Sequence, residues 1–218
     1  MRTTAHRKPT APAPPAKTAA TPERIVEAAL AAFAERGFDG ASTRDIAAAA
    51  GVNQGLITYH FSSKEELWKA AVERAFEGLR QAFAPAAQML ADVDAATRLR
   101  LVVRQFVRFT AAHPELHRLI VQEGKSDSAR HRWLVDRHIR PLFESTLAII
   151  REAQGEHLLP AIPAAHLHYI FLGAAAHLFM VAPEYRRLTG EDPTRPEAVE
   201  AHADAIVDLL MLAKRGSK

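Results

Sequence analysis

Ala47, Gly51 and Ile57 stand four and six residues apart within Thr43–His60, TRDIAAAAGVNQGLITYH. Two helices that cross at close range through a tight turn need a small residue at the contact and a turn residue that tolerates a left-handed backbone. They also need an apolar residue pointing back into the angle. Ile46, Ala50 and Val52 complete a small core around these three. A plain αα-hairpin shares these packing positions, so the outward side chains must separate the readings. Gln54, Gly55, Thr58, Tyr59 and His60 face outward and lack the Glu/Lys pairs of a generic solvated helix. Gln pairs bidentately with adenine, and Leu56 suits a thymine methyl. Thr58, Tyr59, His60 and Lys64 suit phosphates or base edges. The constellation predicts a helix-turn-helix that reads double-stranded DNA.

These residues need three short helices to position them. Thr21-Pro22-Glu23 is a helix start, with a hydroxyl cap, proline at the first helical position and an acid in the first turn. Ile25, Ala29, Leu30 and Phe33 then share one face, and Gly37 ends the helix. Ser42 with Asp45 forms a capping box for a second helix that stops at Gly51. Asn53 caps a third helix through about His60, and Ser62-Ser63-Lys64-Glu65-Glu66 opens a long fourth one. Gly78 and Pro85 are expected to weaken or end that fourth helix.

Helical periodicity continues to the C-terminal end, with helices predicted at about 94–112, 114–123, 128–153, 164–186 and 196–214. No period-2 strand or internal repeat is found, so the fold class is all-α. The predicted organisation is a disordered basic arm (1–20), a helix-turn-helix domain (21–68) and a helical ligand-binding and dimerisation domain (69–214). The long fourth helix joins the last two. The arm carries Arg2, Arg7, Lys8 and Lys17 with no acid, whereas residues 23–65 hold four bases against six acids. The arm is either a solvated tail or a contact to phosphates or a minor groove. With a net charge of only +3 over 218 residues, the DNA reading rests on the motif and not on bulk charge.

Residues 28–68, AALAAFAERGFDGASTRDIAAAAGVNQGLITYHFSSKEELW, resemble the DNA-binding domain of the TetR family of bacterial transcription regulators. The matching stretches are helix 1 through Phe33 and Gly37-Phe38, Thr43-x-x-Ile46-Ala47, Gly51-Val52, Tyr59-His60-Phe61, and Lys64-Glu65-x-Leu67. The resemblance implies a ligand-responsive repressor that binds a pseudo-palindromic operator as a homodimer. It further implies that Gln54, Gly55 and Thr58 meet bases, that Arg44 meets a base or a phosphate, and that Thr43, Tyr59, His60 and Lys64 meet phosphates. Thr58 departs from the aromatic residue more common at that place in the family, so its short side chain weakens the case for a base contact there.

The helices at 164–186 and 196–214 are apolar on more than one face. Such a helix buries two sides, one in its own domain and one against a partner. The resemblance implies that they form a four-helix bundle with a second subunit; a monomer with a thick core is the alternative. It also implies a small-molecule effector pocket, with Phe106, Phe109, Trp133, Phe143, Leu147, Tyr169 and His177 as candidate lining. An apolar, aromatic-lined cavity suits a hydrophobic organic effector.

Other constellations carry less. His113 and His117 are four apart but lack a third ligand, so His113 is read as a helix cap, and neither a metal nor a cofactor is expected. His166 and His168 face different ways, and the arginines among 130–140 spread over several faces. No cysteine is present, which excludes disulfides and thiolate chemistry. No Gly-rich phosphate loop, GxSxG or HExxH occurs, which argues against a helical enzyme. A protein-only helical adaptor is the third class. No apolar run spans a bilayer and no secretory leader is seen, so a cytoplasmic protein without membrane contact is expected.

Overall fold

The computed structural model describes residues 22–89 and 93–211. The basic-arm reading at 1–20, the cap at Thr21 and the predicted helix end at 212–214 lie outside them. The described residues are helices and their connections, with no strand among them.

Three helices come first, one long and two short: α1 (Pro22–Gly40), α2 (Thr43–Ala49) and α3 (Gln54–His60). Gly37 interrupts α1 with φ 70, ψ 175, and a last turn resumes to Gly40. Ser42 caps α2 as expected, its Oγ accepting the Asp45 amide at 3.1 Å. The Asp45 carboxylate pairs across to Arg36 at 3.1 Å. Asn53 caps α3 through the Leu56 amide at 3.0 Å. Ser63 accepts the Glu66 amide at 3.1 Å and opens α4 (Lys64–Met89).

Helix α4 departs from expectation, running through both Gly78 and Pro85. Trp68, Val72, Phe76 and Leu79 bury a long apolar stripe on it, and packing of that kind outweighs a local helix breaker. The helices α5 (Ala95–Ala112) and α6 (Pro114–Glu123) match their predicted spans closely. The stretch predicted as one helix at 128–153 is instead α7 (Ala129–Leu134), a π-helical turn (Val135–Ile139) and α8 (Arg140–Gly155). Likewise 164–186 divides into α9 (Ala164–Met180) and α10 (Ala182–Thr189), bent by 71°. Val181 leaves helical geometry at φ −108, ψ 26, and Pro183 supplies no amide to continue the ladder. The last helix is α11 (Pro196–Met211). No single helix of the described residues is long and apolar enough to cross a membrane.

Two hydrophobic cores organise the chain. The first joins α1–α4 to Phe109, Leu116, Leu119 and Leu134. The second joins Leu99, Val103 and Val107 of α5 to α8, α9 and α11. Phe106 is packed against both. Buried polar bonds tie the second core together: Thr110 Oγ1 lies 2.9 Å from the carbonyls of Val107 and Ala175. On the surface, Arg108 grips Glu200 through two nitrogens, and Arg104 pairs with Glu200 and Asp204. The first core includes residues of α5, α6 and α7, so the N-terminal helices share their interior with the following domain.

Candidate nucleic-acid interface

The turn between α2 and α3 is built as the spacing requires. Gly51 has φ 67, in the left-handed region. Its amide bonds to the Ala48 carbonyl at 3.1 Å, and the Val52 amide bonds to Ala47 at 2.9 Å. Ile46, Ala47, Ala50 and Ile57 are buried around it. Arg24 completes the turn, its Nη2 donating to the Ala50 carbonyl at 2.7 Å. A Cβ on Gly51 would lie 3.1 Å from that same nitrogen. Sequence reading missed Arg24. The available signal was a cation in the first turn of α1, where the helix dipole disfavours positive charge unless a partner holds it.

Burying Ile57 turns the other side of α3 outward. Gln54, Gly55, Thr58, Tyr59 and His60 are all exposed, and Tyr59 keeps 81% of its surface in solvent. Arg44 is exposed on α2, and Thr43 is half-buried beside it. Gln54 Nε2 donates to Thr43 Oγ1 at 3.2 Å, so these two proposed contacts belong to one surface. The Tyr59 and His60 rings meet edge to face at 5.0 Å. Lys64 is placed differently. Its ammonium lies 4.6 Å above the Phe38 ring and 3.5 Å from the Asp39 carbonyl, turned back onto the end of α1.

The seven candidate pocket residues are not brought together. Phe109 is buried in the first core, with its ring 4.9 Å from His113. Trp133 meets Trp68 at 5.7 Å and flanks a cleft of about 690 Å³ beside Tyr59, His60, Glu66 and Lys69. Phe143 and Tyr169 do approach each other, at 6.3 Å, but Tyr169 is 66% exposed. Leu147 is buried. Tyr169 and His177 occupy the outer stripe of α9 with Ile170 and Gly173. The π-helical turn at Val135–Ile139 shifts the facing of Phe143 and Leu147 on α8, while the other five candidates lie on helices it does not touch.

One candidate, Phe106, sits among rings from three other helices. It lies 6.4 Å from Phe83 of α4, 5.1 Å from Phe171 of α9 and 5.7 Å from His117 of α6. The His117 Nδ1 is sealed from solvent and has no hydrogen-bond partner. Burial pushes the His117 imidazole down to about 4. Burial likewise lowers His168, and it lowers His138 against the opposing pull of the Glu73 carboxylate. His113 does occupy the N-cap position of α6, but its side chain makes no capping bond and its ring lies 3.2 Å from the Glu115 carboxylate. Among the described residues no group of three potential metal ligands gathers.

The chain matches known families at both ends. Residues 25–71 match the family described as "Bacterial regulatory proteins, tetR family", and residues 96–210 match "Tetracyclin repressor-like, C-terminal domain". The HTH-type transcriptional repressor SCO4008 of Streptomyces coelicolor is 30% identical over 87% of this chain and 96% of its own. The HTH-type transcriptional repressor AcnR of Corynebacterium diphtheriae is 33% identical over 67% of this chain and 72% of its own. Among solved structures, AibR in complex with isovaleryl coenzyme A and operator DNA superposes with a TM-score of 0.70 at 17% identity. It covers 87% of this chain and 97% of its own.

Proposed function

Because the chain belongs to the TetR family of bacterial regulatory proteins, a family of DNA-binding transcription regulators, we propose that it represses transcription as a homodimer on a pseudo-palindromic operator and is released by a small hydrophobic organic effector. The observation that carries this reading is the exposed α3 face beside a turn fixed by Gly51 and Arg24. In this reading Arg44 and Gln54 meet base edges, with Gly55 allowing close approach and Thr58 beside it. Thr43, Tyr59 and His60 meet phosphates, and Lys64 joins them by leaving the Phe38 ring. Residues 21–68 form the reading domain, and 69–214 hold the effector and the partner.

Dimerisation is supported by an unpartnered face. Tyr169, Ile170, Gly173 and His177 line the outside of α9, and Ala201, Ala205 and Leu209 line the outside of α11. A Cβ on Gly173 would touch nothing within the chain, which leaves room for close helix approach. AibR, solved with an acyl-coenzyme A and operator DNA, supports pairing a ligand site with a DNA site in one such fold. The protein then acts in the cytoplasm, at the chromosome, without catalysis. The test is a gel-shift and footprint on the DNA upstream of its own gene, with sedimentation of the free protein. A two-fold symmetric footprint, with half-sites about one helical turn or a multiple apart, and a dimer are expected. Failure to shift that DNA, or a monomer at micromolar concentration, overturns the proposal.

A further inference from the structure

Four helices contribute to one ring cluster where the two cores meet: Phe83, Phe106, His117 and Phe171. Three of its members are apolar rings and the fourth is an imidazole whose Nδ1 has neither solvent nor a hydrogen-bond partner. A buried polar atom without a partner costs stability, and native structures keep few of them. Among the described residues, buried nitrogens of Arg98, Arg130, His131, His138 and His168 also lack a hydrogen-bond partner. His117 Nδ1 is set apart by its place beside Phe106, the ring packed against both cores, and is the one placed to take a partner from outside the chain there.

We propose that His117 is the polar anchor of the effector site, recognising a single hydroxyl on an uncharged, planar aromatic molecule. The inference rests on the effector-released repressor described above and specifies its ligand. Three features define the chemistry. The surrounding rings of Phe83, Phe106 and Phe171 favour an aromatic body, through edge and offset contacts. His117 stays neutral at physiological pH through burial alone, and no charged neighbour contributes to its shift. An ammonium brought to it would be buried without a counter-ion, and a carboxylate would find one only by protonating His117 against the burial that keeps it neutral, so an uncharged ligand is favoured. A hydroxyl both donates and accepts, so it satisfies Nδ1 in either imidazole tautomer. A purely hydrocarbon ligand would fill space and leave the nitrogen unpaired.

The experiment compares 2-naphthol with naphthalene by calorimetric titration of the full-length protein, alongside operator release in the gel-shift. Wild-type protein should bind 2-naphthol roughly tenfold more tightly than naphthalene, the scale of one net hydrogen bond. In His117→Phe this preference should vanish while naphthalene binding persists. His117→Asn, which keeps a hydrogen-bonding group, should restore part of it and guards against a His117→Phe variant that fails to fold. Equal affinities on wild type, binding of neither probe, or a hydroxyl preference unchanged in His117→Phe overturns the assignment. Loss of operator binding by wild-type protein without any probe would instead overturn the repressor reading, so the two failures are distinguishable.

Discussion

Lowering the pH should expose the cost of His117 directly. The unfolded chain takes up a proton at this side chain near 6.5, whereas the folded protein resists until about 4. Between those values the unfolded state binds more protons, so stability falls as the pH falls. The contribution is fully present above about 6.5 and is lost progressively down to about 4. At about 1.4 kcal/mol for each pH unit, the window is worth about 3 kcal/mol. That is a large share of the margin of a typical domain. Burial lowers His138 and His168 as well, so the wild-type profile alone would mix three residues. The clean quantity is the difference between wild type and His117→Phe in urea unfolding across this range. Near neutral pH the variant should match or exceed wild type, because it removes the unpartnered nitrogen. As the pH drops, its advantage should widen by about 3 kcal/mol. Parallel pH profiles for the two proteins would refute a buried neutral His117.

Gly51→Val should abolish operator binding while leaving the C-terminal helices folded and dimeric. The left-handed φ and the 3.1 Å approach of Arg24 penalise a β-branched residue by about 2 kcal/mol, and circular dichroism with gel-shift checks both halves. Arg44→Ala should cost about 1–3 kcal/mol and relax preference at one base pair, read by a library of operator variants. Lys64→Ala should weaken all sequences alike and reduce the salt slope by about one; an unchanged slope would assign the ammonium to Phe38 alone. Ile170→Glu should produce monomers in sedimentation, since two carboxylates would face each other across the symmetry axis; a persisting dimer would place the interface elsewhere.

Local chemistry was legible in the sequence wherever a residue acts on its near neighbours. Ser42, Asn53 and Ser63 cap the helices they precede, and Gly51 turns the chain as its spacing demands. Those features depend on two to four residues of chain and a few dihedral angles. What depends on burial was not legible. Pro85 reads as a stop and lies inside α4, because the buried stripe from Trp68 to Leu79 is not a local quantity. The π-helical turn at Val135–Ile139 leaves no compositional mark, yet it decides which way Phe143 and Leu147 face. Pro183 did mark the end of α9, but the apolar run that leads up to it, Leu178 to Ala182, masked the break. Arg24 and His117 matter through partners found or missing far along the chain, which one sequence does not reveal.

The two cores also change how a ligand would reach the DNA. Helix α4 is the covalent link between the reading helices and the rest, and it invites a picture of one lever. The packing supplies a second route, since α1 makes its most extensive contacts with α6 and not with α2 or α3. Leu116 and Leu119 of α6 are buried in the same core as Phe33 and Ile46. At the other side of α6, Arg118 donates to the carbonyls of Phe179 and Met180 at the end of α9. Further along, buried Glu123 lies 3.6 Å from Arg130, whose guanidinium caps the Phe38 ring at 3.7 Å. Phe38 is the ring on which Lys64 rests. A molecule at the proposed site beside His117 and Phe106 would therefore press on α6, and α6 packs extensively on α1. Interiors packed this closely shift between discrete arrangements and do not deform smoothly. The proposed dimer would have to fit two half-sites at once, so a tilt of α1 with its attached α2 and α3 would change the spacing of both reading helices together. The coupling is bounded by the ligand's preference for the tilted state, typically about 1–3 kcal/mol, and operator DNA must weaken ligand binding by the same factor.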